Sequence, residues 1–334
     1  MDHPRPIRML ERAPEEPAIA VDGHVAGAVL ELSHWPGNAT PASLKHELST
    51  GIALRFAALP EAEREQLARG AGVLVNNHYD TDGILACFVL REPELAHRHA
   101  GFLLATAASG DMFRGRDERA FALDMLILGL AGHSRYAGEQ GHAKHERIAN
   151  DLMIELPRML ESDPLPYPEL WTAAVERLRA DKERLAAGLR DDMVHLDLFV
   201  CTLEPGSDPG RHALFSATDC DRALVLVRGS EGTHARLVIN TTSWFDIPGQ
   251  TRQPRPDLVE LCRRLNQLEP GAHRWHCHPT ASPAPELWCG EPGSEFFAEH
   301  NSKLGESGID PLRIKREVID AVRAAWTFPD EDEE

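Results

Sequence analysis

The stretch Val73-Leu-Val-Asn-Asn-His78-Tyr-Asp80-Thr-Asp82-Gly-Ile-Leu-Ala86 decides how this chain is read. An apolar, strand-like run ends in three ligand-type side chains, and an apolar, helix-like run starts straight after them. Along extended backbone, residues i, i+2 and i+4 point to the same side, so His78, Asp80 and Asp82 are predicted to converge. A strand exit before a helix is also where open α/β sheets hold ligands. One imidazole with two carboxylates suits Mn²⁺, Fe²⁺ or Zn²⁺ better than Ca²⁺, which prefers all-oxygen cages. Gly83 leaves room for a metal or phosphate to approach the backbone. The plainer alternative is that Asp82 caps the following helix while His78 packs on Tyr79.

Working outward, Val73–Val75 is a short strand and Ile84–Leu90 a helix that stops before Pro93. Phe102–Ala108 reads as a second buried strand with Ser109-Gly-Asp111 at its exit, so Asp111 is expected to face Asp82 across the sheet edge. Glu61–Leu67 and residues 118–131, 142–160 and 169–190 carry helical composition and periodicity. The first twenty residues are rich in Pro, Glu and Arg. Ile19–Val21 and Ala26–Leu32 are candidate short strands, followed by a loop, Ser33–Pro41, with the unusual pair His34 and Trp35. Thr40-Pro-Ala-Ser43 offers caps for a short helix. Beyond residue 190, Leu196–Leu203, Ala223–Arg228 and Ala235–Asn240 read as strands, with helices at Asp257–Gln267 and Leu312–Ala325.

The expected class is α/β: a mostly parallel sheet with flanking helices, followed by a smaller α+β C-terminal domain. Residues 1–192 would form the metal-binding, catalytic part and 193–327 a substrate-binding part. Residues 328–334 would be a disordered acidic tail.

A formal charge of -18, from 53 acidic and 35 basic residues, argues against long nucleic acids and anionic membranes as partners. Six cysteines without a C-x-x-C pair signal neither a zinc knuckle nor a disulfide framework. Cys87, Cys201 and Cys262 lie in apolar runs, as buried thiols do. With no basic-then-apolar leader and no membrane-length apolar run, the expected location is cytoplasmic.

Two further clusters carry ligand-type residues. His142 and Glu146 are four apart and His145 one helical turn from His142, so all can share a helix face. His142, with His133 behind it, is the candidate to complete an ion site, and a solvated polar stripe is the alternative. In His273-Arg-Trp-His-Cys-His278, Arg274, Trp275 and His276 are candidate substrate contacts, because guanidinium and indole hold phosphates and bases well. The same segment also permits a zinc site from His276, His278 and the later His300, or a tryptophan-rich packing edge.

The segment from Val73 to Ala86 resembles the first motif of the DHH phosphoesterase superfamily, an apolar strand followed by His-x-Asp-x-Asp-Gly and a helix. The match falls on His78, Asp80, Asp82 and Gly83. Asp111 fits the second motif, a lone aspartate. The resemblance covers roughly residues 70–112 and implies a pair of divalent ions, Mn first and Zn, Fe or Mg next. It implies hydrolysis of phosphodiesters or phosphoanhydrides, in an α/β catalytic domain paired with a smaller C-terminal one. The chain has no Asp-His-His triplet, with only Gly132-His-Ser134 or His142 to His145 in its place. The combined expectation is a metal-dependent phosphoesterase acting on a nucleotide or small phosphorylated molecule, with a homodimer as a possible assembly. Its metal ligands would be His78, Asp80, Asp82, Asp111, His133 and His142, with Asp82, Asp111 and His142 catalytic. A non-enzymatic metal- or nucleotide-binding protein is the alternative.

Overall fold

The computed structural model describes residues 5–12, 14–249 and 254–326, so the expected acidic tail lies outside the described residues. The chain divides into two compact units, Met1–Arg177 with Phe245–Gln250, and Leu178–Trp244 with Thr251–Glu334. The boundary expected at 192/193 thus falls inside the second unit.

Unit 1 is built on a small sheet of β1 (Ile7–Met9), β2 (Ala18–Val21), β3 (Leu30–Leu32) and β4 (Val73–Asn76) in the order β1-β4-β2-β3. Every pairing is parallel. β2, β3 and β4 are buried along their whole length, which is why they read as continuous apolar runs rather than alternating ones. Around them lie α1 (Ser49–Ala57), α2 (Glu61–Ala68), α3 (Thr81–Arg91), α4 (Pro93–Arg98), α5 (Ala100–Met112), α6 (Glu118–Leu130) and α7 (Gly141–Glu161). The helix α8 (Thr172–Ala187) carries the chain into the second unit.

The structure departs from the sequence expectation at two places in unit 1. Phe102–Ala108 is not a strand but the middle of α5. That helix packs against both α3 and α6, so its apolar residues surround it, and an all-round apolar run has no 3.6 period to separate helix from strand. Its small residues permit close packing: a Cβ on Gly110 would stand 3.0 Å from Thr81 Cβ and 3.2 Å from Asp124 Oδ1. Asp111 therefore sits in the last turn of a helix. Likewise, Thr40-Pro-Ala-Ser43 caps no helix; the Thr40 hydroxyl donates to Ser33 O at 2.7 Å, and the next helix begins only at Ser49.

Unit 2 contains β5 (Leu189–Met193), β6 (Leu198–Leu203), α9 (Arg211–Ala217), β7 (Arg222–Arg228), β8 (Thr233–Ile239), α10 (Leu258–Leu268), β9 (Arg274–Cys277), β10 (Glu286–Gly290), β11 (Glu306–Ser307) and α11 (Pro311–Ala325). Its sheet runs β5-β6-β7-β8-β10-β9, with β11 on β8. Only β6 and β7 pair in parallel; the remaining pairs are antiparallel. Leu258, Leu261 and Leu265 of α10 and Ile314, Val318 and Val322 of α11, each set at helical spacing, bury against this sheet.

Candidate metal centre

Three parallel strands of unit 1 deliver polar residues at their carboxyl ends. β2 is followed by Asp22 and β3 by Ser33 and His34, while β4 ends at Asn76, two residues before His78. Asp22 is fully buried and adopts φ 67°, a left-handed conformation that aspartate tolerates better than most residues. Its amide donates to Leu32 O at 2.9 Å, and its carbonyl accepts from the Ser33 hydroxyl. The turn thereby holds the Asp22 carboxylate beneath the β3 and β4 exits.

The helices add the rest. Asp80 is the N-cap of α3 and accepts from Gly83 N at 2.9 Å, so the residue that caps this helix is Asp80 and not Asp82. Asp82 instead caps a neighbour: its carboxylate accepts from Ser49 N at 2.6 Å and Thr50 N at 2.8 Å, the first amides of α1. Asp111 comes in from α5. Behind them Asp124 of α6 accepts from Thr81 Oγ1 at 2.5 Å and Ser109 Oγ at 2.7 Å, all three buried. That carboxylate ties the first turn of α3 to the last turn of α5, the two places that carry Asp82 and Asp111.

The result is two overlapping ligand sets. Asp22, His34, Asp82 and Asp111 each present one ligand atom within 4.8 Å of the others, as do Asp22, His78 and Asp80. His34 Nε2 lies 3.5 Å from Asp22 Oδ1, 3.7 Å from Asp82 Oδ2 and 3.0 Å from Asp111 Oδ2. His78 Nε2 lies 3.0 Å from Asp22 Oδ2 and 2.8 Å from Asp80 Oδ2. Asp22 offers one oxygen to each set. His34 Nδ1 stands 2.6 Å from Glu47 O; a carbonyl only accepts, so Nδ1 carries a proton and Nε2 is the atom turned to the carboxylates. The imidazole stacks on Phe245 with centroids 3.8 Å apart, which fixes its plane.

Gly83 has a structural reason. A Cβ there would collide with the Asn76 side-chain nitrogen and come within 3.0 Å of Asp80 Oδ1 and 3.1 Å of Asp22 Oδ2. The glycine makes room for the Asn76 amide and the two carboxylates packed against the start of α3.

The electrostatics match a cation site. Four carboxylates against two imidazoles leave negative charge in excess even with both rings protonated. Burial by itself would raise the Asp22 pKa, but contacts with His34 and His78 outweigh it and hold the carboxyl well below its usual range. Burial opposes charge on both histidines; Asp111 and Asp22 nevertheless raise His34 well above its ordinary value, and Asp80 and Asp22 push His78 up to about 12. Burial, then the Asp22 charge, lifts Asp82 to about 6. Burial, reinforced by Asp82 and Asp80, raises Asp111 well above its usual range. Both Asp22 oxygens and His34 Nε2 are buried without a well-aligned hydrogen bond among the described residues. Protein interiors leave few such atoms. A divalent ion would satisfy these atoms and neutralise the excess charge, and the mixed imidazole–carboxylate donors fit one.

Of the residues expected from sequence, the fold brings His78, Asp80, Asp82 and Asp111 together and adds Asp22 and His34. Val21-Asp22-Gly23 repeats the strand-then-acid pattern of the opening stretch, and that was the available signal for Asp22. His133 and His142 are not brought there. His133 caps a short 3-10 turn through Nδ1 and lies 3.8 Å from Glu169. Half-exposed His142 lies 3.5 Å from Glu11. Glu146 accepts from Met9 N at 3.2 Å and Asn150 from α7 bonds to Ile7 N and O, so this helix face serves the open edge of β1. His145 stacks on Tyr79.

In unit 2, Trp275 is a core residue whose indole donates to Glu269 at 3.0 Å, so it offers no open face to a substrate. Arg274 is exposed and donates to Gly271 O and His273 O. His276 packs obliquely on Trp288, His278 lies 3.2 Å from both Ser294 O and Glu286 N, and His300 pairs with Asp181 at 3.2 Å. Among the described residues these three histidines form no common ligand set.

The chain belongs to a family of unknown function, DUF6687, whose model matches residues 6–333. No curated protein matches it significantly. Among solved structures it is similar to a pGpG-specific phosphodiesterase, PggH, from Vibrio cholerae, at 14% identity and a TM-score of 0.36, over 92% of this chain and 84% of that one. No helix among the described residues is long and apolar enough to cross a membrane.

Proposed function

We propose that this chain is a divalent-metal-dependent phosphoesterase, cleaving a phosphodiester or phosphoanhydride in a nucleotide or other small substrate. The observation that carries the reading is the buried set Asp22, His34, Asp82 and Asp111, sharing Asp22 with His78 and Asp80. It is supported by the position of these residues at the carboxyl ends of parallel strands and by the phosphoesterase-like spacing of His78, Asp80, Asp82 and Gly83.

In this reading Asp22, His34, Asp82 and Asp111 hold one ion, and Asp22, His78 and Asp80 a second. Ions so held lower the pKa of water and offset charge developing on phosphoryl oxygens. The protein's own residues do the remaining work. Glu47 O fixes His34 with Nε2 inward, and Asp124 fixes the spacing of the α3 and α5 ligands. The side chains of His78 and Asp80 are each 28% exposed, whereas His34, Asp22 and Asp82 are closed off. A substrate therefore approaches from the His78 side, where Trp35 lies with its ring centroid 5.0 Å from the imidazole and offers a face for a base or sugar. The strongly acidic chain favours small substrates over long polyanions.

The test is metal analysis and hydrolysis of a panel of nucleotide phosphodiesters and phosphoanhydrides by protein loaded with Mn²⁺. Metal-dependent turnover that disappears in Asp82→Asn, with the fold retained, is expected. Bound metal with no turnover on any substrate would reduce the reading to a metal-binding protein, and no bound metal would remove it altogether.

A further inference from the structure

Unit 1 contains a cavity of about 650 Å³ at the opposite ends of its parallel strands from the candidate metal ligands. Arg5 precedes β1, Gly70-Ala-Gly72 leads into β4, and Arg91 closes α3, whose other end carries Asp80 and Asp82. Arg64 joins them from α2, so three guanidiniums line one cavity of a chain whose formal charge is -18. Arg5 uses Nε on Ala71 O at 2.9 Å and Arg64 one Nη on Ala57 O at 2.8 Å. Each keeps further donors. Arg91 Nε is buried with no hydrogen-bond partner among the described residues, so a ligand in the cavity would meet Arg91 through its terminal nitrogens.

Two glycines border the cavity. Gly70 has φ 76° and is required by its backbone. Gly72 has no such need, and a Cβ there would meet nothing within 4 Å. A side chain at 72 would enter free space beside the cavity. The other walls narrow the ligand class. Glu61 and Glu65 also line the cavity; they would repel a ligand charged throughout but accept hydrogen bonds from hydroxyl or amino groups. Phe56 and Leu90 supply an apolar side. The volume suits a small organic molecule rather than a lone ion.

We propose that this cavity binds a nucleoside phosphate, its phosphate on Arg5, Arg64 and Arg91 and its sugar and base against Glu61, Glu65, Phe56 and Leu90. Guanidinium forks match phosphate oxygens better than any other common side chain does. Binding here needs no metal and is independent of the phosphoesterase reading. α3 alone, eleven residues long, separates the cavity from the metal ligands by about 16 Å of helix, so the ligand acts away from the reacting groups.

The 334-residue protein, stripped of metal with a chelator, is titrated calorimetrically with the four common nucleoside monophosphates, with their parent nucleosides and with inorganic phosphate. At least one monophosphate is expected to bind saturably, and its nucleoside at least about tenfold more weakly, as loss of charge-assisted hydrogen bonds requires. Arg91→Gln is expected to weaken binding about tenfold on the same ground. Gly72→Leu, which places a side chain in open space, should abolish binding while the thermal midpoint stays close to that of the parent. No saturable binding by any monophosphate would overturn the proposal. Equal affinity for nucleoside and monophosphate, or binding untouched by both substitutions, would overturn it as well.

Discussion

Two regions of this protein are rich in histidine and acid, and they resolve those residues in opposite ways. At the strand ends of unit 1, His34 and His78 meet four carboxylates, and three buried atoms there have no well-aligned hydrogen bond. In unit 2, His278 lies between Ser294 O and Glu286 N, and His300 is paired with Asp181. Both of these histidines are satisfied by their own neighbours. Ligand-type residues near one another in sequence are common; a site arises only where several backbone exits aim them at one point without giving each its own partner. Residual dissatisfaction marks the candidate metal centre.

The sharpest way to break that contrast is Asp22→Asn, because Asp22 alone belongs to both ligand sets. It should remove metal from both, read by elemental analysis, and lower any phosphoester turnover by more than the ~10–100-fold typical of an outer-shell change. Retention of a full metal complement in this variant would contradict the shared-ligand geometry. It should also lose the metal-dependent rise in thermal stability, which for the parent is about 2.7 kcal/mol at a metal concentration of one hundred times Kd.

Next in size is the response to pH. In the metal-free protein His34, His78, Asp82 and Asp111 all hold protons more tightly than usual. A metal must displace those protons, so apparent Mn²⁺ affinity should increase as pH rises, with proton release measurable by calorimetry in buffers of different ionisation heat. For Asp82 the sign is explicit. Its folded pKa is raised from 3.8 to about 6, so its contribution to metal-free stability is full below the lower value and is lost as pH rises through about 6. The thermal shift produced by Mn²⁺ should accordingly be larger above this window than below it. A shift independent of pH would mean that the carboxylates and imidazoles do not bind the ion.

Asp124→Asn should have an intermediate effect. It leaves every ligand in place but weakens the tie between Thr81 and Ser109, so metal affinity should fall about 10–100-fold with little change in circular dichroism. At the small end, His278→Gln in unit 2 should leave metal content and turnover as in the parent, costing only the ~1–3 kcal/mol of a disturbed buried hydrogen-bond pair. Loss of metal in that variant would erase the distinction between the two regions.

Much of this was legible in the chain. The apolar run into His78-Tyr-Asp80-Thr-Asp82-Gly gave a strand, a turn and a helix, because each depends on neighbours in sequence. Asp111 was singled out for the wrong local reason, since α5 is a helix; a run that is apolar on every side carries no period, and only its packing between α3 and α6 decides its form. His142 and Glu146 looked like ligands by spacing, yet β1 leaves an open edge that Glu146 and Asn150 of their helix fill.

The sequence by itself determined that a strand ends in ligand-type residues and that the chain carries an excess of acid, because alternation, capping and charge are local or additive properties. The tertiary structure alone decided that Asp22 and His34, some fifty residues upstream, complete the set. It also decided that Asp82 caps α1 instead of its own helix, and that the unit 2 histidines disperse. Convergence depends on the order β1-β4-β2-β3, which sets β2 between β4 and β3 and aims three strand exits at one buried volume.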